Sequence, residues 1–189
     1  LKLEIYKKLI VAFIPTAIIG FLAYKTIKAY LFSPIVVSVA LFIGGIILIL
    51  VDKRTNESSS KYAELEDISY KNAAFIGLIQ CFSMIPGVSR AAATIIGGTL
   101  NGLDKKQATE FSFLLAVPTM MAATGYDLLK TSIDFTFGEL QLLGLGAIIA
   151  FICAWIAVKI FLKLVENYGF RYFAYYRIAL GIVFLWLIV

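Results

Sequence analysis

The sequence predicts an all-α protein that crosses a membrane several times and folds as a single domain over residues 1–189. Of its 189 residues, 61% are hydrophobic and only 15% are charged, and the mean hydropathy is +0.91. Soluble domains are about 45–50% apolar and about 25% charged, so a soluble core of this size could not bury so much apolar surface. The apolar residues also form separate long stretches, one of which is broken by a Pro-Gly pair.

Five apolar stretches are predicted to span the membrane as helices. The first contains Pro15 and is short for a span, but the lysines that flank it can extend their side chains to the membrane surface. The second contains no charged residue, and its Gly44-Gly45 pair allows a neighbouring helix to pack closely. The predicted spans are residues 9–24, 34–51, 108–129, 140–162 and 173–189.

Charged residues are concentrated between these stretches. Residues 52–71 form the longest polar segment and are predicted to be an exposed loop with some helix. Basic residues occur in successive loops on both sides, so the positive-inside rule alone gives no orientation. The net charge of +5 is explained by such membrane anchors, not by nucleic-acid binding. The last span begins with an aromatic and basic segment typical of a membrane-interface belt, which comprises Arg171, Tyr175, Tyr176 and Arg177.

Residues 72–102 are predicted to form a broken, re-entrant helix. An apolar piece, residues 73–85, ends at Pro86-Gly87, and a run of small residues, 91–99, follows it. Neither piece is long enough to cross a bilayer core of about 30 Å. Irregular backbone of this kind is tolerated at membrane depth only where protein or a polar cavity covers it.

The break carries residues suited to bind phosphate. Pro86 ends the first half because it lacks an N–H group, and Gly87 permits a tight turn. The second half is predicted to begin between Val88 and Arg90, where its first N–H groups have no intrahelical partner and its dipole favours an anion. The hydroxyl groups of Ser89 and Thr94 and the guanidinium group of Arg90 complete the predicted site. The guanidinium group can contact phosphate in a bidentate manner.

Each of these residues also has an ordinary structural interpretation. Pro-Gly before Ser89 is a common helix boundary with a serine cap, and Arg90 could extend to the membrane surface. An ionisable group inside an apolar broken helix is costly and usually functional, which favours the phosphate site. Gln80 could face the same cavity or join two helices by a hydrogen bond. Glu110 could pair with Arg90 or stabilise the N-terminus of its own helix.

Some chemistry is excluded by residue types. The sequence contains no histidine, so histidine-based acid–base catalysis and histidine metal sites are excluded within these residues. Cys81 and Cys153 both lie in apolar stretches and are predicted to be small core residues, not a disulfide. The sequence shows no cluster of metal ligands.

The segment from Gln80 to Thr94 resembles the undecaprenyl-diphosphate phosphatase family, also known as bacitracin-resistance proteins. The signature of that family reads Pro-Gly-x-Ser-Arg-Ser-Gly-x-Thr. Other segments resemble further blocks of the family in the same order, so the resemblance covers essentially the whole sequence: residues 67–72, 77–81, 108–118 and 173–181.

This resemblance implies a multi-pass enzyme of the bacterial cytoplasmic membrane with an inverted-repeat architecture. Such an enzyme hydrolyses undecaprenyl diphosphate to undecaprenyl phosphate and phosphate, which recycles the lipid carrier of peptidoglycan synthesis and confers bacitracin resistance. The resemblance also allows a divalent cation, Mg²⁺ or Ca²⁺, as cofactor, and it is compatible with a homodimer. The implied catalytic residues are Arg90, Ser89 and Thr94. The implied substrate-binding residues are Pro86, Gly87, Val88, Gln80 and Glu110.

The sequence departs from the family pattern in two ways. Ala91-Ala92 replaces Ser-Gly after the arginine, which removes one phosphate-facing hydroxyl group. Family members also carry a matching N-terminal half with a Glu-rich helix and a Pro-Ile-Ser-Ser-x-x-His turn, and nothing in this sequence matches it. We therefore expect these 189 residues alone to show no significant diphosphatase activity and to bind the substrate head group only weakly. Two alternatives stay open: a lipid-flipping or transporter-like protein, whose broken helix would hold an anion, and a non-catalytic remnant.

Overall fold

The structure is a computed structural model that describes residues 2–55, 60–130 and 136–188. Within these residues the regular structure is entirely helical, with short 3₁₀ turns at Leu65–Asp67 and Cys81–Met84. The helices are α1 (Lys2–Tyr30), α2 (Pro34–Thr55), α3 (Tyr70–Gln80), α4 (Arg90–Leu100), α5 (Lys105–Lys130), α6 (Phe137–Tyr168) and α7 (Arg171–Ile188).

The prediction of five spanning helices and one broken helix is confirmed. The helices α1, α2, α5, α6 and α7 are each long and apolar enough to cross a membrane. They extend beyond most of the predicted apolar stretches because the polar residues at their ends, many of them Lys and Glu, are good helix formers. α1 runs for 29 residues, and Pro15 lies inside it without ending it. α2 continues to Thr55, so the polar segment begins later than residue 52, where the sequence placed it.

The broken helix is an antiparallel hairpin of α3 and α4. Each helix has 11 residues, which is about 16 Å of helix, so neither crosses a bilayer core of about 30 Å. Gly97 of α4 faces α3 so closely that a Cβ atom there would lie 3.2 Å from the Cβ of Ile79. The backbone N–H of Lys61, before α3, donates to the carbonyl of Gly102, after α4, at 2.9 Å. The hairpin therefore returns to the end of the bundle from which it enters.

Close contacts fix this hairpin against α1 and α5. Gly77 of α3 lies against the backbone carbonyl of Ala12 in α1, where no side chain would fit. Beside this contact, the hydroxyl of Thr16 donates to the Gly77 carbonyl at 3.1 Å. On the other side, a Cβ on Gly98 of α4 would lie 3.1 Å from the Cβ of Ala108 in α5. These contacts set the position of the turn between α3 and α4.

A buried carboxylate joins the helices at one end of the bundle. We call this the loop end: the C-terminus of α2, the N-terminus of α5 and the turn between α6 and α7 meet there. Asp52 is only 3% exposed. Its carboxylate accepts a hydrogen bond from the backbone N–H of Phe170 (2.8 Å) and pairs with Lys105 (2.6 Å). Asp52 therefore ties three helices together, whereas the sequence placed it in an exposed loop.

Helix α6 is unlike the others because most of its 32 residues are exposed. It contacts α5 through an edge-to-face pair of Phe113 and Phe161, whose ring centroids lie 5.7 Å apart. Exposed apolar side chains such as Ile148 and Phe151 are expected on a helix that faces lipid.

Replacing Asp52 with alanine is expected to lower the free energy of unfolding by about 3 kcal/mol, because the substitution removes the carboxylate that Lys105 pairs with in a buried site. Glu166→Ala is the matched control. Glu166 pairs with Lys106 at 3.6 Å on the exposed surface, so its loss should change the free energy by less than about 1 kcal/mol. Denaturant unfolding of both variants in detergent measures the difference, and equal losses would contradict the structural role of Asp52.

Candidate phosphate-binding site

The turn between α3 and α4 has an unusual backbone. α4 begins at Arg90 with Ser89 as its N-cap, within the range that the sequence predicted. α3 ends at Gln80, earlier than the predicted residue 85, and the 3₁₀ turn at Cys81–Met84 follows it. Gly87 has a φ of +94°, and Ser89 has a φ of +27°, the one positive value on a non-glycine residue in the described chain. Such a conformation costs about 1–3 kcal/mol and occurs mainly where function requires it.

Backbone N–H groups remain available at the start of α4. The hydroxyl of Ser89 accepts a hydrogen bond from a backbone N–H in the first turn of α4 at 3.3 Å. The N–H groups of Ser89, Arg90 and Ala91 make no hydrogen bond within the described residues. The N–H of Val88 is different, because it donates to the Ile85 carbonyl inside the turn at 3.1 Å. The free N–H groups at the start of α4 thus begin one residue later than the sequence suggested.

Arg90 carries an unpaired buried nitrogen. The residue is half-buried, and its Nη1 atom is buried with no hydrogen-bond partner among the described residues. A buried guanidinium nitrogen without a partner is energetically costly, and an anion is its strongest partner. A buried guanidinium nitrogen that lacks a partner within the protein is what we expect of an arginine that binds phosphate.

A second arginine, Arg177 of α7, reaches the same turn. Its Nη2 atom donates to the carbonyl of Gly87 at 2.8 Å, and its Nε atom is buried without a hydrogen-bond partner. Gly44 of α2 makes room for it, because a Cβ atom there would lie 2.5 Å from the same Nη2. The prediction that Arg177 belongs to an interface belt is therefore wrong. Its position as a charged residue within the last predicted span was the one sequence signal that could have identified it.

Thr94 lies next to the turn, but its hydroxyl is bonded within the protein. The side chain is fully buried, and its Oγ1 atom contacts the carbonyl of Arg90 at 3.0 Å and that of Ala91 at 3.1 Å. It also lies 2.6 Å from the hydroxyl oxygen of Ser112 in α5. Thr94 therefore connects α4 to α5 one helical turn after Arg90.

Gln80 and Glu110 occupy different surroundings from Arg90. The Gln80 side chain is fully buried, its Nε2 atom donates to the Thr119 hydroxyl at 3.2 Å, and its Oε1 atom has no hydrogen-bond partner among the described residues. Glu110 forms no ion pair within those residues, and it does not meet Arg90. The charged side chains that interact electrostatically with the Glu110 carboxylate all lie at the loop end: Lys106, Asp104, Glu166 and Glu64.

The chemistry of this turn follows from its atoms. It presents free N–H groups, one exposed serine hydroxyl and two guanidinium groups with buried unpaired nitrogens. Such a set suits an anion with several negative charges, such as a diphosphate. Across the described part of the chain, no group of three or more Cys, Asp and Glu side chains is arranged to hold a metal ion.

Comparisons with known proteins point to one family. The family model described as "Bacitracin resistance protein BacA" matches residues 1–183. An undecaprenyl-diphosphatase of Wolinella succinogenes is 50% identical over 182 residues, which are 96% of this chain and 71% of that protein. An undecaprenyl-diphosphatase of Persephonella marina is 49% identical over 184 residues, which are 97% of this chain and 72% of that protein. One from Aquifex aeolicus is 48% identical over 182 residues.

Substituting Gly87 with alanine is expected to weaken pyrophosphate binding at least tenfold. The φ of +94° strains any other residue, and a Cβ atom would lie 2.5 Å from the Val37 carbonyl oxygen of α2. Gly144→Ala in α6 is the control, because no atom lies within 4 Å of a Cβ there. Calorimetric titration of both variants with pyrophosphate measures the effect. Unchanged affinity in Gly87→Ala would contradict the assignment of this turn.

Proposed function

This chain belongs to the BacA family of bacitracin resistance proteins, and we propose that it acts in the hydrolysis of undecaprenyl diphosphate to undecaprenyl phosphate and inorganic phosphate. The observation that carries the proposal is the meeting of two arginines at one strained turn, where Arg177 holds the Gly87 carbonyl and Arg90 begins α4. The reaction recycles the lipid carrier of peptidoglycan synthesis, and it agrees with the bacitracin resistance for which the family is named.

The two arginines and the α4 N-terminus would bind the diphosphate. In the reaction, a water oxygen bonds to the terminal phosphorus while the bond from that phosphorus to the bridging oxygen breaks. Negative charge develops on the bridging oxygen as undecaprenyl phosphate leaves. Guanidinium and N–H groups stabilise such charge best when they are already positioned, as Arg90 and Arg177 are here. The hydroxyl of Ser89 adds one donor, and Thr94 keeps α4 in position through its contact with Ser112.

The described residues supply binding and charge stabilisation, not proton transfer. No carboxylate contacts Ser89 or Arg90 in the described chain, and a serine without a nearby base is a poor nucleophile. Glu110 lies among the charges of the loop end. The N–H and guanidinium groups at the turn offer no lone pair to Mg²⁺ or Ca²⁺, and Ser89 supplies a single hydroxyl oxygen, whereas these cations need about six oxygen ligands. A divalent cation would therefore enter this site bound to the phosphate oxygens of the substrate.

The fold also supports an orientation in the bacterial cytoplasmic membrane. Because the α3–α4 hairpin returns to the loop end, the basic residues on both sides of it belong to that end. The opposite end carries fewer basic residues in the described helices: Lys25, Lys28 and Lys130. The loop end carries, among others, Lys53, Arg54, Lys105, Lys106 and Arg171. By the positive-inside rule the loop end faces the cytoplasm, and the turn at Gly87, packed on the first turn of α2, lies towards the outer half of the membrane.

Arginine-to-lysine substitutions test the proposed binding site. Arg90→Lys and Arg177→Lys should each weaken binding of undecaprenyl diphosphate, and Arg90→Lys roughly a hundredfold, because an ammonium group cannot make the bidentate contact. The exposed Arg54→Lys is the control and should bind normally. Binding is measured on the purified chain in detergent, with undecaprenyl phosphate as the competing ligand. Equal affinity of the Arg90→Lys and Arg54→Lys variants for the diphosphate would remove Arg90 from the site.

Phosphate release is measured on the same samples. We expect slow release, because the residues at the turn include no group that takes or gives a proton near neutral pH. Rapid release that Arg90→Ala abolishes would show that Glu110, or a second copy of the chain, completes the site. Diphosphate binding that no arginine substitution alters would contradict the proposed function itself.

A further inference from the structure

A polar cavity lies at the loop end, away from the Gly87 turn. It has a volume of about 240 Å³ and is bounded by the start of α5, the end of α6 and the start of α7. The polar side chains that line it are Lys105, Glu166, Asn167 and Arg171, and the aromatic ones are Tyr168 and Tyr172. The phosphate-binding turn uses none of these residues.

The charges around this cavity leave a positive excess. The buried carboxylate of Asp52 pairs with Lys105 at 2.6 Å and lies 3.9 Å from the Nε atom of Arg171. One carboxylate thus lies between two cations, and the Arg171 side chain is still 54% exposed. Glu166, which also lines the cavity, pairs at 3.6 Å with Lys106 outside it, so these three cations and two carboxylates together leave one net positive charge. The cavity therefore favours an anion, with Arg171 as its accessible cation.

The start of α7 adds backbone donors to the same wall. The N–H of Phe170 is bound by Asp52 at 2.8 Å, and the carbonyl of Phe170 accepts from Ala174 at 3.0 Å. Among the residues that the structure describes, the N–H groups of Arg171, Tyr172 and Phe173 donate no hydrogen bond, as expected for the first turn of a helix. The helix has 18 residues, and its dipole favours negative charge at this end.

An apolar groove of about 350 Å³ continues from the cavity along the outer surface of the bundle. It is bounded by Leu164 and Phe173, and it shares Tyr168, Gly169 and Tyr172 with the polar cavity. The rings of Tyr168 and Tyr172 meet edge to face, with centroids 5.9 Å apart, where the two spaces join. A ligand that fills both spaces has an anionic head and an apolar chain attached to it.

We propose that this cavity and groove bind an anionic glycerophospholipid of the adjacent leaflet. Its phosphate lies against the Arg171 guanidinium group and the first N–H groups of α7, and the start of an acyl chain lies in the groove beside Leu164. The site is at the depth of lipid head groups, because the α7 span begins at Arg171. It is also at the basic end of the bundle, where attraction to anionic lipid is expected.

The test measures lipid retained by the purified detergent-solubilised chain, using native mass spectrometry. Phosphatidylglycerol should be retained in preference to phosphatidylcholine, which has the same phosphate and chains but no net charge. Arg171→Gln should reduce phosphatidylglycerol retention about fivefold, whereas Arg54→Gln, which removes an exposed cation outside the cavity, should not. Equal effects of the two variants, or equal retention of the two lipids, would overturn the proposal.

A second variant separates a lipid site from a site for free phosphate and does not depend on Arg171. Leu164→Asn places an amide in the groove and should reduce phosphatidylglycerol retention while leaving the folded protein and its undecaprenyl diphosphate binding unchanged. Inorganic phosphate at millimolar concentration should not displace the lipid. Full displacement by inorganic phosphate, or normal retention in Leu164→Asn, would show a phosphate site without a lipid and contradict the proposal.

Discussion

A helix that breaks at membrane depth exposes peptide groups where no water can bind them. The α3–α4 hairpin meets this constraint with a small set of contacts. Val88 donates to the Ile85 carbonyl, Ala93 donates to the Ser89 carbonyl, and Arg177 donates to the carbonyl of Gly87. The unpaired groups that remain around the turn include the N–H groups that begin α4 and buried nitrogens of both arginines. All of these are donors, so an anion would satisfy them.

Glycines make this arrangement sterically feasible. Gly77 lets α3 approach the α1 backbone, Gly87 lets the turn pack on α2, and Gly44 leaves space for the Arg177 side chain. Each contact is between backbone and backbone or between backbone and a charged group, and a Cβ atom would block it. The close approach of the helix backbones contributes more to this packing than the burial of apolar side chains, because helix packing in a membrane depends on small residues. The same close packing holds α2 against α7, which brings Arg177 over the turn.

Local features of the site were predictable from the sequence, and distant pairings were not. The tight turn at Gly87, the Ser89 cap and the start of α4 at Arg90 follow from backbone rules that act over a few residues, whereas the end of α3 at Gln80, six residues before Pro86, does not. Arg177 lies 90 positions after Gly87, so no local pattern links them. Asp52 was likewise assigned to a loop, because its partners Lys105 and Phe170 come from other helices. The hydroxyl of Thr94 was expected to be available, but Ser112 of α5 contacts it.

The central claim is that Arg90 and Arg177 act on one anion at the turn between α3 and α4. A double-mutant cycle with Arg90→Gln and Arg177→Gln, read out as the free energy of pyrophosphate binding, tests it most directly. If both side chains hold the same anion, the loss in the double variant should differ from the sum of the two single losses by about 1 kcal/mol or more. Losses that add to within about 0.3 kcal/mol, or an Arg177→Gln variant that binds normally, would contradict the account.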